Sequence, residues 1–110
     1  MNNLEKHINF LNLLNETHPP QKKALIETSS LPQIETLCEI VLNILTGTVD
    51  LDILTRQKIR RSKPHLEIVL RKSTSKRRKQ ILFLKNLKLL ELCLKIVLNI
   101  FNKKRDDTPS

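Results

Sequence analysis

An all-α fold is predicted by three features of this 110-residue sequence. Gly47 is the only glycine, which leaves few tight turns for hairpins. The apolar residues are mostly Leu and Ile and recur at three-and-four spacing. Trp and Tyr are absent, so Phe10, Phe83 and Phe101 are the whole aromatic complement. Together these predict a compact bundle of about five or six helices with a long C-terminal amphipathic helix. A chain of this length is one domain's worth and can bury about 65% of the surface it exposes when unfolded. The domain is expected over residues 1–103, with 104–110 as a flexible tail.

The opening stretch NNLEKHINFLNLLNE sets Leu4, Ile8, Leu11 and Leu14 or Phe10 on one side of a helix, with Asn2 or Asn3 as its cap. His18, Pro19 and Pro20 break it. The proline pair opens a short second helix through QKKALIE, since Pro is tolerated in a first helical turn, and that helix ends near Thr28. Ser29 or Ser30 caps a third, LPQIETLCEIVLNILTG, with Leu31, Ile34, Leu37, Cys38, Val41, Leu42 and Leu45 facing inward. Gly47 closes it as a left-handed C-cap, and this helix is expected at the centre of the core.

Asp50 is the expected cap of LDILTRQKIRRSK, whose Leu51, Leu54 and Ile59 form a thin apolar stripe beneath basic residues. Pro64 interrupts or restarts that helix, and Leu66, Val69 and Leu70 face inward beyond it. The final helix starts at Ser73 or Ser75 and runs to about Asn102, with Lys85, Lys88, Glu91 or its neighbour, Lys95 and Asn99 marking one narrow wet stripe. So wide an apolar face serves as the buried spine of the bundle, as an oligomer interface, or as a surface for lipid. A membrane span is disfavoured, because the four charges between residues 82 and 98 would each cost about 2–3 kcal/mol at the bilayer centre.

The net charge of +9 is unevenly spread. Residues 1–55 hold three basic and seven acidic groups, for −4. Residues 56–79 hold eleven basic groups against Glu67 alone, for +10, and residues 80–110 hold six against three, for +3. Such concentration points to a polyanion or an anionic surface as partner.

Catalysis finds little to work with. His7, His18 and His65 are scattered, no Ser or Cys has a base at recognisable spacing, and one glycine cannot build a phosphate-cradling loop, so no enzyme and no cofactor is expected. Cys38 and Cys93 sit in apolar runs without a CxxC pair or a His to complete a metal site, and are expected reduced and buried. A disulfide between them would need an oxidising compartment, for which the sequence offers no signal peptide.

The basic segment offers more. Arg56, Arg60 and Lys63 project to one side of a helix, with Lys58 and Arg61 adjacent; Arg71 and Lys72 follow, and Lys76, Arg77, Arg78 and Lys79 crowd a helix start. Cations at that end oppose the helix dipole, a cost that an external anion would offset. These eleven residues are the candidate nucleic-acid contacts, acting on phosphates without base-specific contact. Without Trp or Tyr, single-strand binding by stacking is disfavoured. Double-stranded DNA is the expected partner, with RNA and anionic lipid left open by the residues themselves. The basic run also resembles a nuclear import signal.

Residues 22–82 resemble a small basic protein encoded by adintoviruses and related Polinton (Maverick) elements, compared in that family with the adenovirus pX core protein. The resemblance rests on Lys22 and Lys23 before an apolar helix, CEIVLNILTG at its end, VDLD, Gln57 and Lys58 opening the basic helix, the pair Leu66 and Leu70, and Ser75 with KRRKQIL. It implies a DNA-packaging role in a virion core or the host nucleus. Family members continue into a glycine-rich apolar tail, whereas this chain continues into a glycine-free, leucine-rich stretch, so a packed C-terminal helix is expected here. Two other roles fit the same residues: a membrane-surface protein, or a helical module that self-associates or docks a capsid component through the leucine-rich last helix.

Overall fold

The computed structural model describes residues 2–47 and 50–106. Its described residues form seven helices and no strand: α1 (Asn2–Lys6), α2 (Ile8–Glu16), α3 (Pro19–Glu27), α4 (Leu31–Leu45), α5 (Ile53–Leu70), α6 (Lys76–Lys85) and α7 (Leu87–Asp106). The all-α expectation holds. Two of the expected helices are each divided, which raises the count.

The first division is at His7, where φ −114° and ψ 21° leave the helical region and separate α1 from α2. The second is at Asn86, whose backbone N–H and side-chain amide both donate to the Leu82 carbonyl, at 3.1 and 2.9 Å. The Asn86 carbonyl then accepts from Leu90 N–H to begin α7. A short amide side chain competes with the helical ladder, and here it turns the chain although the apolar period runs on. The last helix also continues to Asp106, past the expected limit; residues 107–110 lie outside the described residues. The expected cap at Asn2 or Asn3 falls on side chains outside the described ones as well.

Local chemistry accounts for most other boundaries. The Ser30 hydroxyl accepts from Gln33 N–H at 3.3 Å while the Gln33 side-chain oxygen accepts from Ser30 N–H at 2.9 Å, a reciprocal capping box. Gly47, at φ +77°, follows the α4 C-cap in the left-handed region, as expected. The cap of α5 is Asp52 rather than Asp50: its Oδ1 accepts from Thr55 N–H at 2.7 Å, and the backbone and side chain of Thr55 together hold its carboxyl below the usual range. Ser75 caps α6 through Arg78 N–H at 3.2 Å.

Pro64 does not interrupt α5, which runs unbroken from Ile53 to Leu70. Pro64 and Arg60 are both exposed residues, so the proline sits on the solvent side of the helix and the core-facing backbone ladder is spared. At the far end, the Thr74 hydroxyl donates to the Ile68 carbonyl at 2.7 Å.

The core sits where α4 meets α5, α6 and α7, with α2 against α7 and α3 against α6. Two ridges of α4 are buried at once, Ile34, Leu37 and Val41 on one and Thr36, Ile40 and Ile44 on the other, which is why the helix is central. Leu31 and Leu42, expected inward, are about half exposed. In α7, Leu90, Cys93, Leu94, Val97 and Leu98 are all buried, so its leucine-rich face is the spine of the bundle. The Cα radius of gyration, 13.6 Å, is close to the roughly 13 Å of a packed domain this long.

Candidate nucleic-acid interface

In α5 the buried line runs through Ile59, Leu66 and Val69, with Thr55 and Ser62 half-buried in the same helical period. Leu54 stands one residue, about 100°, off that line and is 72% exposed. The expected Leu51, Leu54 and Ile59 stripe therefore fails at Leu54, because the helix starts at Ile53 and Leu51 precedes it. Anchoring α5 by that line turns the remaining faces, with their cations, outward.

Arg56, Lys58, Arg60, Arg61, Lys63, Arg71, Lys72, Lys76, Arg77 and Arg78 are all exposed. Lys79 is the exception: it is half-buried and close enough to Cys38 for its charge to act on the thiol. Burial pushes the Cys38 thiol up, Lys79 pulls it back, and Glu35 adds to the rise. Arg56, Arg60 and Lys63 share one side of α5, as expected, but Lys58 and Arg61, expected beside them on one broad face, line a different groove. Arg56, Arg60 and Lys63 line one cleft of about 420 Å³, with Ile44, Leu45 and Leu51 from the end of α4 and the loop after it.

Lys58 and Arg61 line a second, more open groove of about 500 Å³ on the other flank of α5. Across it stand Lys88 and Lys95 of α7, with Leu89 and Leu92 between. These two lysines were legible only as part of a wet stripe; that the stripe faces α5 is a tertiary fact. Arg71, Lys72 and the α6 cations occupy the other end of α5, about 22 Å along its axis from Arg56. The cations thus divide between the flanks of α5 and the α5–α6 corner.

Acids stand near some of these cations: Asp50 lines the cleft of Arg56, Arg60 and Lys63, and the Lys58 charge helps to hold the Asp52 carboxyl down. Glu67 lies 4.0 Å from Lys63, both more than half exposed, a contact worth little in water. The Arg56 guanidinium donates to the Leu51 carbonyl at 3.3 Å. Lys22 behaves differently from its sequence neighbour Lys23: its side chain is 8% exposed and its Nζ lies 3.3 Å from Glu91 Oε1, so it is an internal ion-pair partner on α3. Glu91 stays on the groove wall between Lys88 and Lys95, its side chain 26% exposed, with its carboxylate paired to Lys22.

His7 is half-buried and His18 and His65 are exposed, each on a different element or junction. Among the described residues no three His, Cys, Asp or Glu side chains cluster as metal ligands would. Cys38 and Cys93 are buried, as expected, and are free thiols. No described helix is long and apolar enough to cross a membrane. A scan against protein-family models matches no family, and searches of the curated proteins and of the solved structures match no relative.

Proposed function

We propose that this chain binds double-stranded DNA without sequence preference, through the cations of residues 56–79, as a packaging or core protein of a virus-like element. The observation that carries the reading is that ten of the eleven cations there are exposed, while only Lys63 has an ion-pair partner among the described residues. Uncompensated cations held on a folded surface are the electrostatic footprint that a phosphate backbone neutralises. The resemblance of residues 22–82 to the adintovirus and Polinton core-type protein supports the same reading and suggests the virion core or host nucleus as its place of action.

The test is fluorescence anisotropy with a random-sequence duplex over a range of salt. Neutralising six or more phosphates predicts a log-log slope of about −5 or steeper. Replacing Arg60, Lys72, Arg77 and Arg78 with Ala makes that slope shallower by about 3.6 and weakens binding equally across sequences. An unchanged slope sinks the reading.

One observation favours a second reading, contact with an anionic membrane surface. Ile53 and Leu54 are 73% and 72% exposed at the start of α5, beside Arg56, and such a pair would enter the interfacial region while the cations met headgroups. Anionic vesicles included as competitor in the titration separate the two: capture by vesicles in preference to DNA favours the second. Self-association or capsid docking through α7 would have to use what its buried face leaves exposed, such as Ile100.

A further inference from the structure

We infer that the groove between α5 and α7 is a track for the DNA phosphate backbone, in which Lys88 and Lys95 contact phosphates beside Lys58 and Arg61, and that the pairing of Glu91 with Lys22 keeps this groove cationic. The inference rests on the DNA-binding reading and gives it a site outside the basic segment.

Lys88, Glu91 and Lys95 step along α7 at i, i+3 and i+7 and line the same groove as Lys58 and Arg61. Lys88 and Lys95 are about 10.5 Å apart along the helix axis. All four cations are exposed, and none has an ion-pair partner among the described residues. The groove is open to solvent, which suits a polymer backbone better than an enclosed small molecule.

Glu91 is the one acid on this wall. Its spacing from both lysines would let it neutralise either of them, and its charge would repel a phosphate. Instead its Oε1 is 3.3 Å from Lys22 Nζ, supplied by α3 from beneath. Lys22 reaches it from α3 with a side chain only 8% exposed, so the contact draws the carboxylate toward the interior of the bundle. Its effect is to spend the acid on Lys22 and leave the groove's four cations without an ion-pair partner among the described residues.

The full-length chain is titrated with the same duplex. The K88Q/K95Q variant is expected to show a slope shallower by about 1.8, two phosphate contacts' worth, while K6Q/K23Q, which removes two exposed cations away from the groove, keeps the wild-type slope. K22M leaves Glu91 uncompensated beside the phosphates and weakens binding several-fold; K22M/E91Q removes the acid as well and restores it. A wild-type slope in K88Q/K95Q overturns the groove assignment while DNA binding stands. A double K22M/E91Q variant that binds no better than K22M overturns the compensating role. Absence of salt-dependent binding by the wild type overturns the DNA reading itself. If K22M does not fold, the K88Q/K95Q comparison still decides.

Discussion

The Gln80 side-chain amide, one turn into α6, donates to both the carbonyl and the hydroxyl oxygen of Ser29, at 3.3 Å each. It also reaches the Glu27 carbonyl at 3.4 Å, while the Ser29 hydroxyl donates onward to Ile26. One side chain, 2% exposed, thus holds the α3–α4 junction to the helix that carries the densest run of cations.

Replacing Gln80 with Leu should therefore destabilise the fold by about 1–3 kcal/mol, because the buried Ser29 carbonyl and the part-buried Glu27 carbonyl lose this donor. Urea denaturation with matched m-values measures it. A change within about 0.5 kcal/mol, the range of ordinary surface substitutions, would show that the pin is not structural.

The register of α5 is tested by a pair of truncations. Ile59→Ala removes a buried side chain, 4% exposed, and should cost about 2–5 kcal/mol, whereas Leu54→Ala should change stability by less than about 0.5 kcal/mol. Equal costs would contradict the placement of the helix.

At the end of α4, Gly47→Ala should cost about 1 kcal/mol from backbone conformation alone. A methyl group there meets no atom within 4 Å, so the loss comes from φ +77° and not from a clash. Gly47→Asn, better tolerated in the left-handed region, should recover part of it.

Burial shapes the behaviour of the thiols. Desolvation pushes Cys93 up to about 11 from 9.0 and raises Cys38 too. A raised folded-state value means that the native chain holds its proton where the unfolded chain has lost it. Stability is then fully present below about pH 9 and declines as pH rises toward about 11. Denaturation midpoints across that window should fall, and less so in C93A. At neutral pH both thiols should resist a disulfide reagent until denaturant is added; rapid labelling of the native chain would contradict their burial.

Much of this was legible in the sequence where the signal is local. Ser30 with Gln33, Ser75 and Gly47 act within four residues of one another or of the helix they end, so their chemistry can be read directly. The divisions at His7 and Asn86 were hidden because Leu and Ile continue at helical spacing through both. Leu54 was misplaced by counting the stripe from Leu51, one residue before the true cap. The pairing of Lys22 with Glu91 spans most of the chain, and each looks like an ordinary surface charge in its own segment. The exposed cations of the basic segment were legible; the neighbours α7 provides for them were not, since helix packing decides which wet stripes meet.

Ile59, Leu66 and Val69 fasten α5 to the core and thereby fix the spacing of the charges on its other faces. Basic tails without structure must be ordered by the polyanion they meet, and lose conformational entropy at that moment. Here that loss falls on folding, before any encounter. Association should accordingly involve little change in helical content by circular dichroism, and only a small heat-capacity change beyond that of the surface covered. The same fastening means that the charge array exists only in the folded chain, so melting the bundle would disperse it into a flexible polycation of equal charge but no fixed shape.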